Sequence, residues 1–239
     1  MTKKTLNQNA KYVQKLINII EPDFVFSEKP INRFKTNKKI NEKSVENKTV
    51  ELSKLKEKIN SIQNCNLKNN SKNFIMGDGN LNSPIMLIGE SPSEADDLSG
   101  LSFQGEVGDL LTKMLMAIQI DRKKIYTTYS VNFRPPNDRK PSTQEIKRYS
   151  IFLKEHISII NPKIIILMGS TAMEAVTGLG NKISSERGKW KEIILKNKTF
   201  PIMITFSPSY LIRFPENKKF SWEDLKKIRK KIKDLNIII

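Results

Sequence analysis

Glu90 stands where a short apolar run stops. Ile85-Met86-Leu87-Ile88, bounded by Pro84 and Gly89, reads as a buried strand, and the polar turn Ser91-Pro92-Ser93 follows the carboxylate at once. A carboxylate at the carboxyl end of a buried strand, where open α/β sheets place their ligands, can take a proton from water or face a developing positive charge. Further along the same loop, Phe103 offers an aromatic face. Any strand-to-helix loop can also carry a Glu for solubility, so this stretch alone leaves both readings open.

Three other loops carry related groups. Tyr129 to Arg139 holds Tyr129, Arg134 and Arg139; Gly169-Ser170 follows an apolar run; Phe206 to Arg213 holds Ser207, Ser209, Tyr210, Leu211 and Arg213; and Arg187 lies nearby in sequence. In a parallel sheet these loops gather on one rim. Their carboxylate, aromatics, hydroxyls (Ser91, Ser207, Ser209) and guanidinium groups suit a base pocket beside a phosphate track, because bases are gripped by stacking and edge hydrogen bonds while cations hold the backbone. His156 and Cys65 are the only residues of their kinds. A Ser/His triad would need His156 as its base, and neither an internal disulfide nor a cysteine-built metal cluster can form. Plainer roles stand beside these: His156 as a helix-edge residue, Cys65 as a small buried hydrophobe, Arg134 and Arg139 as loop braces, Ser170 and Thr171 as helix caps.

The elements that position these residues follow from periodicity. Residues 9–20 place Tyr12, Val13, Leu16, Ile19 and Ile20 at helical spacing, and residues 21–48, with Pro22 and Pro30, read as a linker. A second helix is expected over 47–63 and a third over 106–119, with Leu111, Met114 and Leu115 on one face. Strands are expected at 124–128, 163–168 and on both sides of a turn in 190–205. Ser142 with Glu145 has capping-box spacing and opens a helix, and a last amphipathic helix spans 216–232 with Trp222, Leu225 and Ile228. Strands alternating with helices predict an α/β fold: a three-layer αβα sandwich with a central, mainly parallel four-stranded sheet. An N-terminal helical extension, residues 1–48, precedes a domain over 49–235.

The net charge of +17 and isoelectric point near 9.8 favour a polyanionic partner, with nucleic acid first. The abundance of Lys, Asn and Ile is also what an A- and T-rich coding sequence produces. No run is long and apolar enough for a membrane helix, and the first residues carry no signal-like apolar stretch, so no membrane association and a cytoplasmic location are expected.

Six separated motifs then appear in order: GESPSEAD, LSFQGEVGDLL, IYTTYSVNFRPPNDRKP, NPKIIILMGSTA, RGKW and SPSYLIRFPENKKFSWEDL. Over about residues 60–232 the chain resembles the family 4 uracil-DNA glycosylases. The resemblance implies a monomeric enzyme that hydrolyses the N-glycosidic bond of uracil, or a related damaged base, flipped out of single- or double-stranded DNA. Carried over by position, it implies Glu90 as the catalytic carboxylate and Gly89 and Ser91 as the rim of the base pocket. Phe103 would stack on the base, and Ser207 to Arg213 would form the loop that enters the duplex. It also places Arg134, Arg139, Arg187, Ser209, Tyr210, Leu211 and Arg213 against DNA. Two departures stand out: the family's base-reading Asn falls at Tyr129 and its His at Ser207, which would take over the catalytic and base-binding part of the imidazole. The four cysteines of the family's iron-sulfur cluster fall at Ile62, Cys65, Phe133 and Tyr149, so the cluster is expected to be lost and its structural role taken by packing. An alternative remains, a degenerate homologue that binds DNA or a lesion without cleaving.

Overall fold

A computed structural model describes residues 33–238, with side chains from Val45 onward. The chain divides into two compact units, Met1–Lys43 and Ser44–Ile239. The short helix expected over 9–20 lies outside the described residues. The expected linker is helical over its second part, because helix α1 runs Arg33–Asn60, well before the predicted start. No Pro or Gly falls between Pro30 and the end of α1, and the Lys and Glu side chains are good helix formers even without an apolar stripe. The stripe begins only where Leu55 and Ile59 become buried, while Val50 is exposed.

The sheet has six strands in the order β1-β3-β2-β4-β6-β5. Its four inner strands, β3 (Tyr126–Tyr129), β2 (Ile85–Gly89), β4 (Ile164–Met168) and β6 (Lys198–Thr205), are parallel, with Met86 beside both Tyr126 and Ile165. The expected four-stranded parallel sheet is therefore the centre of a larger mixed one. On one side β5 (Trp190–Leu195) pairs antiparallel with β6 through Lys196-Asn197, both at positive φ as a two-residue hairpin turn requires. On the other, β1 (Asp78–Gly79) pairs antiparallel with β3. Two residues leave no period to read, which is why this edge looked like loop. Gly79 is there because a Cβ would strike the Ile125 carbonyl.

Alternation within the inner strands builds the layers. Ile85, Leu87, Ile164, Ile166 and Met203 face α4 (Gly105–Ala117) and α9 (Lys218–Asp234), whereas Met86, Ile88, Ile165, Leu167, Ile202 and Ile204 face α5 (Thr143–Ile160) and α6 (Ser170–Thr177). This is the predicted three-layer αβα sandwich. The Ser142–Glu145 capping box opens α5 as expected. Trp222, counted with the inward face of the last helix, is exposed instead.

A third cluster joins α1 to the sheet's flank through Leu55, Ile59, Leu67, Val131 and Ile159. Cys65, Phe133 and Tyr149 are buried in it and Ile62 packs against it. Cys65 Sγ lies 3.2 Å from Tyr149 Oη, and Phe133 meets Phe74 edge-on at 5.3 Å. These residues do not fit a four-thiolate cluster: a single sulfur stands among an aliphatic side chain and two packed rings.

His156 is not a helix-edge residue. It is buried on α5, with Nε2 2.9 Å from Tyr126 Oη, and burial depresses its pKa to about 3. The unfolded chain takes up the proton near pH 6.5 and the folded chain only near 3, so stability falls as pH drops through that window. From pH 7.5 to 5 this group should cost the wild type about 2 kcal/mol. Urea unfolding of wild type and His156→Gln at both pH values tests this, with the variant expected to lose correspondingly less.

Candidate active site

The loops at the carboxyl ends of β2, β3, β4 and β6 enclose one cleft of about 590 Å³. Glu90, half-buried, reaches across its floor. Its Oε1 accepts a hydrogen bond from the Thr171 backbone N–H at 3.1 Å and one from Ser170 Oγ at 3.3 Å. Both come from the first turn of α6, whose partial positive end favours a carboxylate. Gly169 makes the approach possible: a Cβ there would overlap the Glu90 carboxyl group, and φ is +103°. Ser170 and Thr171 were expected to cap α6, yet the N-cap is Gly169 without a side-chain cap bond, and both residues hold Glu90. The glycine and serine closing a buried strand were the sequence signal for this; what they grip was not visible. Lys140 Nζ donates to Ser170 Oγ at 3.1 Å, and the buried Thr171 Oγ1 has no hydrogen-bond partner.

Opposite lies Phe103, 2% exposed, its ring stacked on Tyr129 at 4.7 Å and 26°. Gly89 packs against both rings, since a Cβ there would come within 2.6–2.8 Å of them. Phe103 has φ +54°, which is costly for a non-glycine residue. Its N–H donates to Tyr129 Oη at 2.9 Å and its carbonyl accepts from Arg122 Nη1 at 2.7 Å, which holds that conformation.

Asp96 fixes the remaining geometry. Only 1% exposed, it opens α3 (Glu94–Ser99) and accepts from Ser93 N–H, Ser93 Oγ and Tyr129 Oη at 2.7–2.8 Å through one oxygen, and from Gln104 N–H at 2.7 Å through the other. Burial, reinforced by Asp96, holds the Tyr129 phenol well above its usual pKa, so it stays protonated and donates to Asp96. The resemblance sets Tyr129 where the family's base-reading Asn falls. That hydroxyl is already committed at both donor and acceptor, and only the ring faces the cleft.

Ser207, buried, caps α8 (Pro208–Arg213): its Oγ accepts from Tyr210 N–H at 3.3 Å and lies 3.1 Å from Ser209 Oγ. Ser91, Ser209, Tyr210 and Arg213 line the same cleft. Leu211 does not. It is 1% exposed in the core, since only the opposite face of this short helix meets solvent. Arg187 is also elsewhere, paired with the buried Asp224 and bonded to the Phe220 carbonyl. Arg134 is braced by Asp138 at 2.7 Å, and Arg139, at the cleft, is held bidentate by Glu145, whose pKa this lowers to about 2. Among the described residues, no group of three or more His, Cys, Asp or Glu is arranged to hold a metal ion.

The family model of the uracil DNA glycosylase superfamily matches residues 76–229. A type-4 uracil-DNA glycosylase of Thermotoga maritima is 36% identical over 180 residues, covering 74% of this chain and 92% of its own. One from Sulfurisphaera tokodaii is 36% identical over 186 residues, covering 74% and 83%. Another, from Archaeoglobus fulgidus, is 30% identical over 174 residues, covering 71% and 87%.

Because Asp96 accepts from Ser93, Gln104 and Tyr129 at once, its removal leaves several buried donors without a partner. Asp96→Ala is expected to destabilise the fold by about 3 kcal/mol, measured by urea unfolding. A loss under about 1 kcal/mol would mean that the loops hold their positions without it.

Proposed function

The chain belongs to the uracil-DNA glycosylase superfamily, and on that premise we propose that it hydrolyses the N-glycosidic bond of uracil, or a related damaged base, flipped out of DNA. The observation that carries this reading is the cleft itself, where a carboxylate held by a helix N-terminus faces a locked aromatic stack. Residues 49–235 form the glycosylase domain, with 1–48 as an appendage, and the family match lies wholly within the former. Among the described residues no helix is long and apolar enough to cross a membrane. A DNA-directed monomer in the cytoplasm is the simplest setting.

Cleavage passes through a sugar with oxocarbenium character and releases the base as an anion, so the site must handle water, positive charge and a leaving group. Glu90 accepts the water's proton and offsets the charge on the sugar. Ser170 and Thr171 hold one of its oxygens, which leaves the other for that work. Phe103 supplies the stacking wall, and Tyr129 supports it with its ring. Gly89 and Ser91 form the rim. Ser207 donates to a base carbonyl whenever Ser209 is the donor between the two hydroxyls. A neutral hydroxyl serves an anion less well than imidazole, and loss of one good donor typically costs 10²- to 10³-fold in turnover. A slow but real enzyme follows. Arg139, Ser209, Tyr210 and Arg213 contact the DNA strand from the cleft wall, with Arg134 at its edge. Arg187 and Leu211 act only by supporting them.

The alternative, binding without cleavage, is not favoured, because Glu90 and its supports are all in place and the relatives named above are glycosylases. The fold is proposed to stand without an iron-sulfur cluster, and stoichiometric iron and sulfide in the purified protein would overturn that. For catalysis, a uracil-containing oligonucleotide is incubated with protein and then cleaved at abasic sites by alkali. Wild type should yield scission. Glu90→Gln should lower turnover by about 10²- to 10⁴-fold with DNA affinity unchanged, whereas unchanged turnover would remove Glu90 from the mechanism.

A further inference from the structure

Two chains of aromatic contacts lead out of the cleft from a single buried ring. Phe206, 5% exposed, lines the cleft and stacks on Tyr210 at 4.8 Å; Tyr210 in turn meets Phe214 at 4.9 Å. Tyr210 lies on α8, and Phe206 and Phe214 flank it just outside the two ends of that helix. On the other side of Phe206 lies the Arg187 guanidinium, 5.5 Å from that ring and 5.3 Å from Phe220. Each chain ends at the surface, where Phe214 is 45% and Phe220 41% exposed. Both outer rings are backed by inner partners, so their orientation is fixed before anything binds.

Charge accompanies them. Arg213, Lys218 and Lys219 are exposed on this stretch, with Lys219 Nζ 5.1 Å over the Phe220 ring, against the one exposed carboxylate of Glu216. Among the described residues Arg213 bonds to the Ser209 carbonyl, at 3.4 Å, and forms no salt bridge with an acid. Fixed exposed rings among cations are what an unpaired nucleic-acid strand uses, because every base has a face to stack and every nucleotide a phosphate to neutralise. A duplex keeps its bases stacked on one another and presents mainly phosphates.

We propose that Phe214 and Phe220, with Arg213, Lys218 and Lys219, form a platform for unpaired nucleotides of the DNA strand that leaves the cleft. This rests on the glycosylase reading for what the cleft holds. The platform itself acts on any unpaired strand, with or without uracil. It makes single-stranded DNA, or the frayed strand beside a flipped base, the preferred partner.

The test uses the full chain and two uracil-free probes of equal length, fluorescein-labelled oligothymidylate and a labelled duplex, with affinity read by anisotropy at fixed salt. The double variant Phe214→Ala with Phe220→Ala should bind oligothymidylate at least about tenfold more weakly and the duplex within about twofold of wild type. Phe214→Trp with Phe220→Trp should restore single-strand affinity, which separates stacking from loss of fold; circular dichroism and melting temperature accompany both variants. Equal loss on both probes, no loss on oligothymidylate, or no rescue by tryptophan would each overturn the platform. Alkali scission of a uracil oligonucleotide is followed in parallel. If scission fails while the alanine variant loses only single-strand affinity, the platform stands and the glycosylase reading falls. If scission occurs and single-strand affinity does not move, the reverse holds.

Discussion

One buried carboxylate, Asp96, ties the start of its own helix to the segment after Phe103 and to the end of β3. It takes hydrogen bonds from the turn before α3, from the residue that follows Phe103 and from the last residue of β3. Two of these donors lie within eight residues of Asp96 and the third comes from a separate strand, and what they share is a need for an acceptor where water is excluded. A charged acceptor with its donors in place gives strong, short hydrogen bonds, while a missing partner leaves buried polar groups that cannot be satisfied otherwise. The unfavourable backbone of Phe103 is tolerable only inside such a frame.

Much of this was legible in the order of residues. Apolar runs bounded by Pro and Gly marked β2 and β4, β-branched and aromatic residues marked β3 and β6, and the helical stripes between them gave the crossover helices, so an αβα sandwich followed. The rim loops were also placed correctly, because a parallel sheet leaves them little choice. The edges were harder. β1 is too short to show alternation, and a polar helix without a stripe, as at the start of α1, looks like linker until tertiary context is known.

Side-chain direction was the least readable property. Leu211 sits in the middle of a motif tied to DNA contact, yet a short helix turns it into the core while Tyr210 and Arg213 face out. Arg187 has the charge of a phosphate contact and spends it on Asp224 across the fold. Tyr129 stands where the resemblance expects a base-reading amide, yet its hydroxyl is taken by Asp96 and the Phe103 N–H. Pairings between residues far apart in sequence are settled by packing, which no local pattern carries.

The cluster formed by Ile62, Cys65, Phe133 and Tyr149 has one more consequence. A thiol shielded by packed rings and close to a phenol is poorly reachable by oxidants, and a chain with one cysteine has no second thiol with which to rearrange. Ring and aliphatic contacts hold this cluster together around one thiol, so no disulfide exchange within the domain can alter it.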